Sequence, residues 1–158
     1  MSAAQELVIY TDGASRGNPG PGGYGVILRW GNREKELSQG YRHTTNNRME
    51  LMAVIAALEA LTKTGLNITI YSDSQYVVKA VEQKWLDKWI ATGFSGGKKN
   101  SDLWTRYYKL SRHHRIRFVW VKGHANNPNN NRCDKLATEA ADGGNLLADT
   151  GFENLSDI

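Results

Sequence analysis

Four acidic residues stand where the chain passes from one predicted element to the next: Asp12, Glu50, Asp73 and Asp134. Carboxylates that lie close together repel, and proteins tolerate such groups mainly where a hard divalent cation neutralises them. Mg²⁺ and Mn²⁺ prefer oxygen ligands, and two such ions about 3.5 to 4 Å apart can bind both the attacking and the leaving oxygen of a phosphoryl displacement. The four acids therefore suggest phosphoryl transfer, provided that the fold gathers them.

Two of these acids each end a predicted strand. The apolar run Leu7–Tyr10 leads through Thr11 to Asp12, and the letters IYSD at 70–73 repeat the letters IYTD at 9–12 almost unchanged. A strand, helix, strand unit normally returns parallel and right-handed. If the two strands are neighbours, Asp12 and Asp73 share one edge of the sheet.

The segment between these strands predicts a long helix. Residues 44–61, TTNNRMELMAVIAALEAL, open with threonine and asparagine caps and are apolar almost all round. Glu50 and Glu59 are nine residues apart, which at about 100° per residue places them on opposite faces. Glu59 can face solvent, whereas an unpartnered Glu50 on the apolar side would be costly. The alternative is that Glu50 is a first-turn acid favoured by the helix dipole.

The rest of the chain alternates strands, helices and loops. From Gly13 to Gly25, six glycines and two prolines in thirteen residues predict a shaped loop. Gly20, Gly22 and Gly25 satisfy G-x-G-x-x-G, but the prolines and the strand that follows argue against a dinucleotide site. The other predicted strands are Tyr24–Trp30, Arg33–Arg42, Asn67–Ser72 and Arg115–Val121; the other predicted helices are Gln75–Lys84, Trp85–Ile90, Asp102–Arg112, and a last one capped by Asn130 or Asn131 and ending at Ala141.

Length, cysteine content and charge narrow the function. A chain of 158 residues fits one domain, predicted over residues 1–142 with a loosely attached tail over 143–158. A single cysteine allows no internal disulfide, and no export or membrane segment is indicated, so a cytoplasmic location is expected. Residues 84–117 carry nine basic and two acidic side chains, with Trp85 and Trp89 among the lysines. This suggests a polyanionic partner, although a solvated basic face is the alternative.

Five sequence strings together resemble the type 1 ribonuclease H family, close to the bacterial ribonuclease HI group: YTDGASRGNPGPGGYG, TTNNRMELMA, YSDSQYV, DLW and WVKGHANNPNNNRCDKLA. The resemblance covers residues 7 to about 142. It implies an α/β fold with a five-stranded mixed sheet, the first three strands antiparallel, and helices on both faces. It also implies a monomeric endonuclease that hydrolyses the RNA strand of an RNA/DNA hybrid and leaves 5′-phosphate and 3′-hydroxyl ends.

The resemblance assigns roles to individual residues. It implies that Asp12, Glu50, Asp73 and Asp134 hold two Mg²⁺ ions, with Mn²⁺ as a possible substitute, and that His124 assists proton transfer or product departure. Taken alone, His124 would be a surface residue. Expected contacts to ribose 2′-hydroxyls and base edges are the amides of Asn18, Asn46, Asn47 and Gln75 and the backbone at Gly13 and Ser15. Thr45 with Arg29 and Asn18 would hold a phosphate of the DNA strand, and Trp85 would pack against deoxyribose.

The sequence departs from its relatives in two places. Asn129 and Asn131 stand where many relatives carry acids, and Ile90-Ala91-Thr92 stands where close relatives carry lysine and arginine. Trp104 and Trp120 are predicted to be core residues. Two alternative functions stay open at this point, a hybrid-binding module without catalysis and an integrase- or resolvase-like enzyme on the same fold that acts on DNA.

Overall fold

The computed structural model describes residues 6–95, 99–122 and 127–156. Its strands are β1 Glu6–Ser15, β2 Gly20–Trp30, β3 Arg33–Thr44, β4 Asn67–Ser72, β5 Arg115–Trp120 and β6 Leu146–Leu147. Its helices are α1 Asn46–Glu59, α2 Gln75–Glu82, α3 Trp85–Ala91, α4 Ser101–Ser111, α5 Pro128–Asp142 and α6 Thr150–Ser156. Among these residues no helix is both long and apolar enough to cross a membrane.

The strands form one mixed sheet in the order β5-β4-β1-β2-β3-β6. The first three strands are antiparallel, as predicted, and β4 and β5 add parallel to the free side of β1. The sheet has six strands rather than the five expected, because the two residues of β6 pair with Gly40 and Tyr41 on the outer side of β3. The α/β fold with helices on both faces is confirmed.

The β1–β2 hairpin is longer than the sequence predicted. The loop expected after Gly13 is largely strand: Gly13 pairs with Tyr24, and Ser15 pairs with Gly22. The glycines allow helices to lie directly on the sheet. A Cβ at Gly23 would meet the carbonyl oxygen of Ala137 at 2.6 Å, and one at Gly25 would meet that of Cys133 at 2.3 Å. The missing side chains therefore make room for α5.

Helix α1 lies on the opposite face and forms the core there. Its residues Leu51, Val54, Ile55 and Leu58 are buried together with Ile9 of β1. Thr45 caps the helix by accepting a hydrogen bond from the backbone N–H of Arg48 at 3.2 Å. As predicted from the spacing, Glu50 is buried and Glu59 is exposed, where it pairs with Arg106 of α4.

The segment after α5 makes specific contacts with the domain. The side chain of Asp149 is buried and accepts hydrogen bonds from Arg48 of α1 and from the hydroxyl of Thr44. Glu153 pairs with Arg42 at 3.0 Å. The described part of the tail is therefore held on the domain by β6 and by ion pairs. The domain boundary at residue 142 stays a prediction.

Candidate active site

Three carboxylates meet where β1, β4 and α1 come together. The parallel register pairs Thr11 with Ser72, so Asp12 and Asp73 follow at the same sheet edge, as the repeated IYTD and IYSD motifs predicted. The first turn and a half of α1 adds Glu50. One oxygen from each of Asp12, Glu50 and Asp73 lies within 4.8 Å of the others. The sequence prediction that these acids share one site is thus realised in the geometry.

Gly13 fixes the distance between β1 and α1. Its backbone N–H donates to Oε1 of Glu50 at 2.5 Å and also to Oδ1 of Asp12 at 2.9 Å. A Cβ at this position would lie 2.3 Å from the backbone nitrogen of Glu50. Only glycine lets the first turns of α1 approach the strand closely enough for Glu50 to reach Asp12.

Asp134 reaches the cluster from the other face of the sheet. Asp12 pairs across the hairpin with Gly25, and Gly25 lies under Cys133 of α5, so the next residue of the helix stands beside Asp12. Asp134 is exposed, and its charge and hydrogen bond are among the causes that raise the pKa of Asp12. The fourth acid therefore lies beside Asp12 on the solvent side, next to the group of three whose oxygens lie within 4.8 Å of one another.

The fold holds these acids in unfavourable surroundings. Burial, then the charges of Asp73 and Asp134, raise the pKa of Asp12 from 3.8 to about 8. Burial, then the charges of Asp12 and Asp73, raise the pKa of Glu50 well above its ordinary value of 4.5. Among the described residues, no arginine or lysine forms an ion pair with Asp12, Glu50 or Asp73. The buried Asp149, by contrast, is paired with Arg48. Perturbed carboxyl groups that converge in this way mark a functional site.

The donor set fits a hard divalent cation. Oδ1 of Asp73 is buried and has no hydrogen-bond partner, which is costly unless another group binds it. All the converging ligands are carboxylate oxygens, the type that Mg²⁺ and Mn²⁺ take, and no thiol or imidazole of the described residues joins them. A bound cation would both satisfy the orphaned oxygen and neutralise the cluster.

Several of the polar residues predicted to contact substrate lie around this cluster. Asn46, Asn47 and Gln75 are exposed; the first two open α1 and the third opens α2, directly after Asp73 and Ser74. Oδ1 of Asn18 accepts a hydrogen bond from the backbone N–H of Asn46 at 3.1 Å, which joins the β1–β2 turn to the start of α1. Exposed amides thus flank the carboxylates on two sides.

Arg29 and Thr45 do not share a site. Arg29 pairs with Glu34 near one end of the β2–β3 ladder, whereas Gly20 pairs with Thr44, next to Thr45, at the other end. Nine residues of strand at about 3.3 Å each separate the two positions by roughly 30 Å. Arg29 instead contacts Glu34 and Asn129 and lies over the ring of Tyr10. The expectation of a phosphate held by both residues is therefore wrong.

The remaining expectations for functional and core residues have different outcomes. Trp104 is fully buried, as predicted, but Trp120 is 45% exposed, and its indole N–H donates to the backbone carbonyl of Asp73 at 3.2 Å. The prediction of a core role for Trp120 is wrong because residue 120 ends an edge strand beyond the helices that cover Phe118. Trp85 is 37% exposed at the start of α3. His124 lies outside the described residues.

Sequence reasoning missed two residues near the site. Asn127, rather than Asn130 or Asn131, caps α5 by accepting a hydrogen bond from the backbone N–H of Asn130 at 3.2 Å. Pro128 at the first helical position, where proline is favoured, was the signal for this start. Arg48 follows the predicted substrate residue Asn47 and precedes Glu50 by two positions. It is 1% exposed and forms ion pairs with Asp102 and Asp149. A basic residue in an apolar helix was the signal for that ion pair.

The mixed sheet and its carboxylate cluster fit the class of enzymes that use divalent cations in phosphoryl transfer. A model of the RNase H family matches residues 4–142. The curated ribonuclease H of Lachnoclostridium phytofermentans is 56% identical over 94% of this chain and 99% of its own length, and that of Syntrophus aciditrophicus is 53% identical over 94% and 87%. The chain belongs to the ribonuclease H family.

Solved structures agree with this assignment. LC9-RNase H1, a type 1 RNase H with the type 2 active-site motif, matches with a TM-score of 0.80 at 28% identity, covering 100% of this chain and 83% of that one. LC11-RNase H1 in complex with an RNA/DNA hybrid matches with a TM-score of 0.64 at 27% identity, over 86% and 96%. The protein is an endoribonuclease that hydrolyses the RNA strand of RNA/DNA hybrids.

Proposed function

We propose that Asp12, Glu50, Asp73 and Asp134 hold two Mg²⁺ ions, for which Mn²⁺ can substitute, at the carboxyl edge of β1 and β4. The observation that carries this proposal is the convergence of Asp12, Glu50 and Asp73 within 4.8 Å around a buried, unpartnered oxygen of Asp73. When bound, the ions would supply an activated water and would stabilise the charge that develops on the leaving 3′-oxygen. The protein's own part is to hold the oxygens at fixed positions.

The surrounding residues divide the remaining work. The exposed amides of Asn46, Asn47 and Gln75, with Asn18 and Ser15, would contact 2′-hydroxyls and base edges, because an amide offers both a donor and an acceptor. Gly13 contributes indirectly, because its N–H is engaged by Glu50 and Asp12. Trp85 would pack against deoxyribose, and Thr45 would hold a phosphate without Arg29. His124 would accept or donate a proton near neutral pH.

The proposed state of the enzyme is a monomer in the cytoplasm. The family match and the basic stretch over residues 84–117 support the hybrid as its partner. The single cysteine, Cys133, lies on the face of α5 that is buried against the sheet. Burial, then the charge of Asp12, raises the pKa of its thiol to about 12. Such a thiol is a structural residue rather than a nucleophile.

Cleavage assays test the proposal directly. Purified protein would be incubated with end-labelled RNA/DNA hybrid, duplex RNA and duplex DNA, each with Mg²⁺, with Mn²⁺ and with a chelator. We expect cleavage of the RNA strand of the hybrid only, and only with metal. Comparable cleavage of duplex RNA in Mg²⁺ would refute the proposed use of amides on one strand and a deoxyribose contact on the other.

A further inference from the structure

An ion-pair cluster lies on the far side of the first turn of α1 from the carboxylates. We define the clasp as Arg48, Asp102, Asp149 and Thr44. Arg48 donates from Nε and Nη2 to the two oxygens of Asp149 at 2.7 and 2.8 Å, and from Nη1 and Nη2 to those of Asp102 at 2.9 and 2.8 Å. The guanidinium is 1% exposed. It therefore joins α1 to α4 and to the C-terminal segment through one buried side chain, although Asp102 itself is partly exposed.

The clasp is tied to the residues that precede α1 as well. The hydroxyl of Thr44 donates to Asp149 at 2.6 Å, and Thr44 immediately precedes the helix cap. The segment fits closely, because a Cβ at Gly151 would lie 2.0 Å from Oδ2 of Asp102 and 2.8 Å from Nη2 of Arg48. Asp149 is buried, so a shift of the C-terminal segment would leave charged groups without partners.

The position of Arg48 links this cluster to the site. The exposed amides of Asn46 and Asn47 precede it, and Glu50 follows it by two residues. Successive residues of a helix point about 100° apart, so Arg48 and Glu50 face different sides of the same rigid turn. On the side of Glu50, that turn is already in close contact with Gly13. On the opposite side, the clasp holds the turn in position.

We propose that Arg48, Asp149 and Asp102 are positioning residues, through which the docked C-terminal segment sets the start of α1 and thereby the placement of Glu50 and of Asn46 and Asn47. The tail then contributes to activity through α1 rather than through a direct contact with metal or substrate. Loss of the clasp lets the first turn of α1 shift, which weakens both metal binding and hybrid binding.

The test uses variants of the full chain. It compares the clasp with a second ion pair that also joins α1 to α4. Asp102→Asn and Asp149→Asn weaken the clasp, whereas Glu59→Gln breaks the exposed pair with Arg106 at the other end of α1. Thr44→Val, which removes only the hydroxyl that contacts Asp149, is the milder variant should Asp149→Asn fold poorly. Ile68→Val, in the buried part of β4 away from Asp73, gives a control that loses stability without removing any polar contact of the clasp.

Two readouts separate positioning from simple stability. Mg²⁺ affinity is measured by calorimetric titration without substrate, and kcat and KM for hybrid are measured at saturating Mg²⁺, well below every melting temperature. We expect Asp149→Asn and Asp102→Asn to weaken Mg²⁺ binding and to raise KM, each by about threefold to tenfold, since residues that orient metal ligands have effects of this order or larger. Glu59→Gln and Ile68→Val should change neither value by more than about twofold.

The outcomes decide the matter in both directions. Reduced Mg²⁺ affinity and raised KM in the clasp variants alone support the proposal, and a smaller change of the same kind in Thr44→Val strengthens it. Wild-type Mg²⁺ affinity and KM in folded Asp149→Asn or Thr44→Val, whatever their melting temperatures, would overturn it. Equal changes in Ile68→Val would also overturn it, because lost stability would then account for the effect.

Discussion

Replacing Asp12 by asparagine should abolish cleavage and yet make the metal-free protein more stable. Asparagine keeps the shape and the acceptor oxygen that Gly13 contacts, but it removes one charge from the cluster. If Asp12 were a structural acid with a cationic partner, the same change would be destabilising. The sign of the stability change therefore distinguishes a repelling, functional cluster from an ordinary ion pair.

The magnitude follows from the pKa of Asp12, which is about 8 in the fold against 3.8 for the free side chain. At pH 7 the folded protein keeps a proton on Asp12 that the unfolded chain would release. Because this pH lies about 3 units above the unfolded pKa, and each unit corresponds to about 1.4 kcal/mol, the fold loses roughly 4 kcal/mol of stability. We expect Asp12→Asn to recover about half or more of this. For a chain of this size, about 2 kcal/mol raises the melting temperature by roughly 4 to 8 °C.

The sign also gives a pH dependence. A carboxyl group whose pKa is raised in the fold causes no loss of stability below its unfolded pKa, and its penalty grows up to its folded pKa. The metal-free wild type should therefore lose stability as the pH rises from about 4 to 8, and Asp12→Asn should lose less. The paired acids Glu34, Asp102 and Asp142 have lowered pKa values. The stability that they contribute is lost only as the pH falls below this range.

Thermal or urea unfolding of both proteins in chelator and in Mg²⁺ provides the assay. Mg²⁺ should stabilise the wild type by about 2.7 kcal/mol at a hundredfold excess over its dissociation constant, and the variant by less. Asp142→Asn, which removes an exposed acid paired with Arg16, is the control and should not raise the melting temperature. A clear fall in the metal-free melting temperature of Asp12→Asn would refute the reasoning, even if cleavage were lost.

Three further changes test other parts of the molecule. Lys98→Ala with Lys99→Ala should raise KM for hybrid and flatten its salt dependence by roughly 0.9 per lost phosphate contact, with kcat nearly intact; a large fall in kcat at saturating hybrid would contradict this. His124→Ala should slow turnover and leave Mg²⁺ affinity unchanged, because the metals supply most of the charge stabilisation; wild-type turnover across pH would remove His124 from the mechanism. Gly25→Ala should destabilise by about 1 to 3 kcal/mol and weaken Mg²⁺ binding, because its Cβ would meet the carbonyl of Cys133 at 2.3 Å; unchanged Mg²⁺ affinity would show that α5 does not position Asp134 in this way.

Local sequence signals were enough to predict the elements that carry the carboxylates. The IYTD and IYSD repeats predicted parallel neighbours, and β4 has the predicted bounds, Asn67–Ser72. The nine-residue spacing of Glu50 and Glu59 correctly assigned one to the interior and one to solvent. These predictions succeeded because strand alternation and helical periodicity are properties of short segments.

The errors arose where a distant element decides the local structure. The glycine-rich run was predicted as a loop because glycine is flexible, but Gly23 and Gly25 are in a strand, and their missing side chains admit α5. Arg29 was assigned to a phosphate with Thr45, but the strand register separates them. Asp149 carries no local signal that distinguishes it from the other acids of the C-terminal segment, and only the fold shows its pairing with Arg48.

The same dependence on distant elements explains how the site tolerates its own repulsion. Each acid belongs to a separate element whose position is set by close packing: that of Glu50 by the closeness of α1 to Gly13, and that of Asp134 by the packing of α5 on Gly25. Burial of apolar surface along α1 and α5 stabilises these contacts, so the packing offsets the electrostatic penalty at the sheet edge. Because the acids cannot relax apart, the penalty persists in the folded protein without metal, and a divalent cation that relieves it is bound more strongly than flexible carboxylates would bind it.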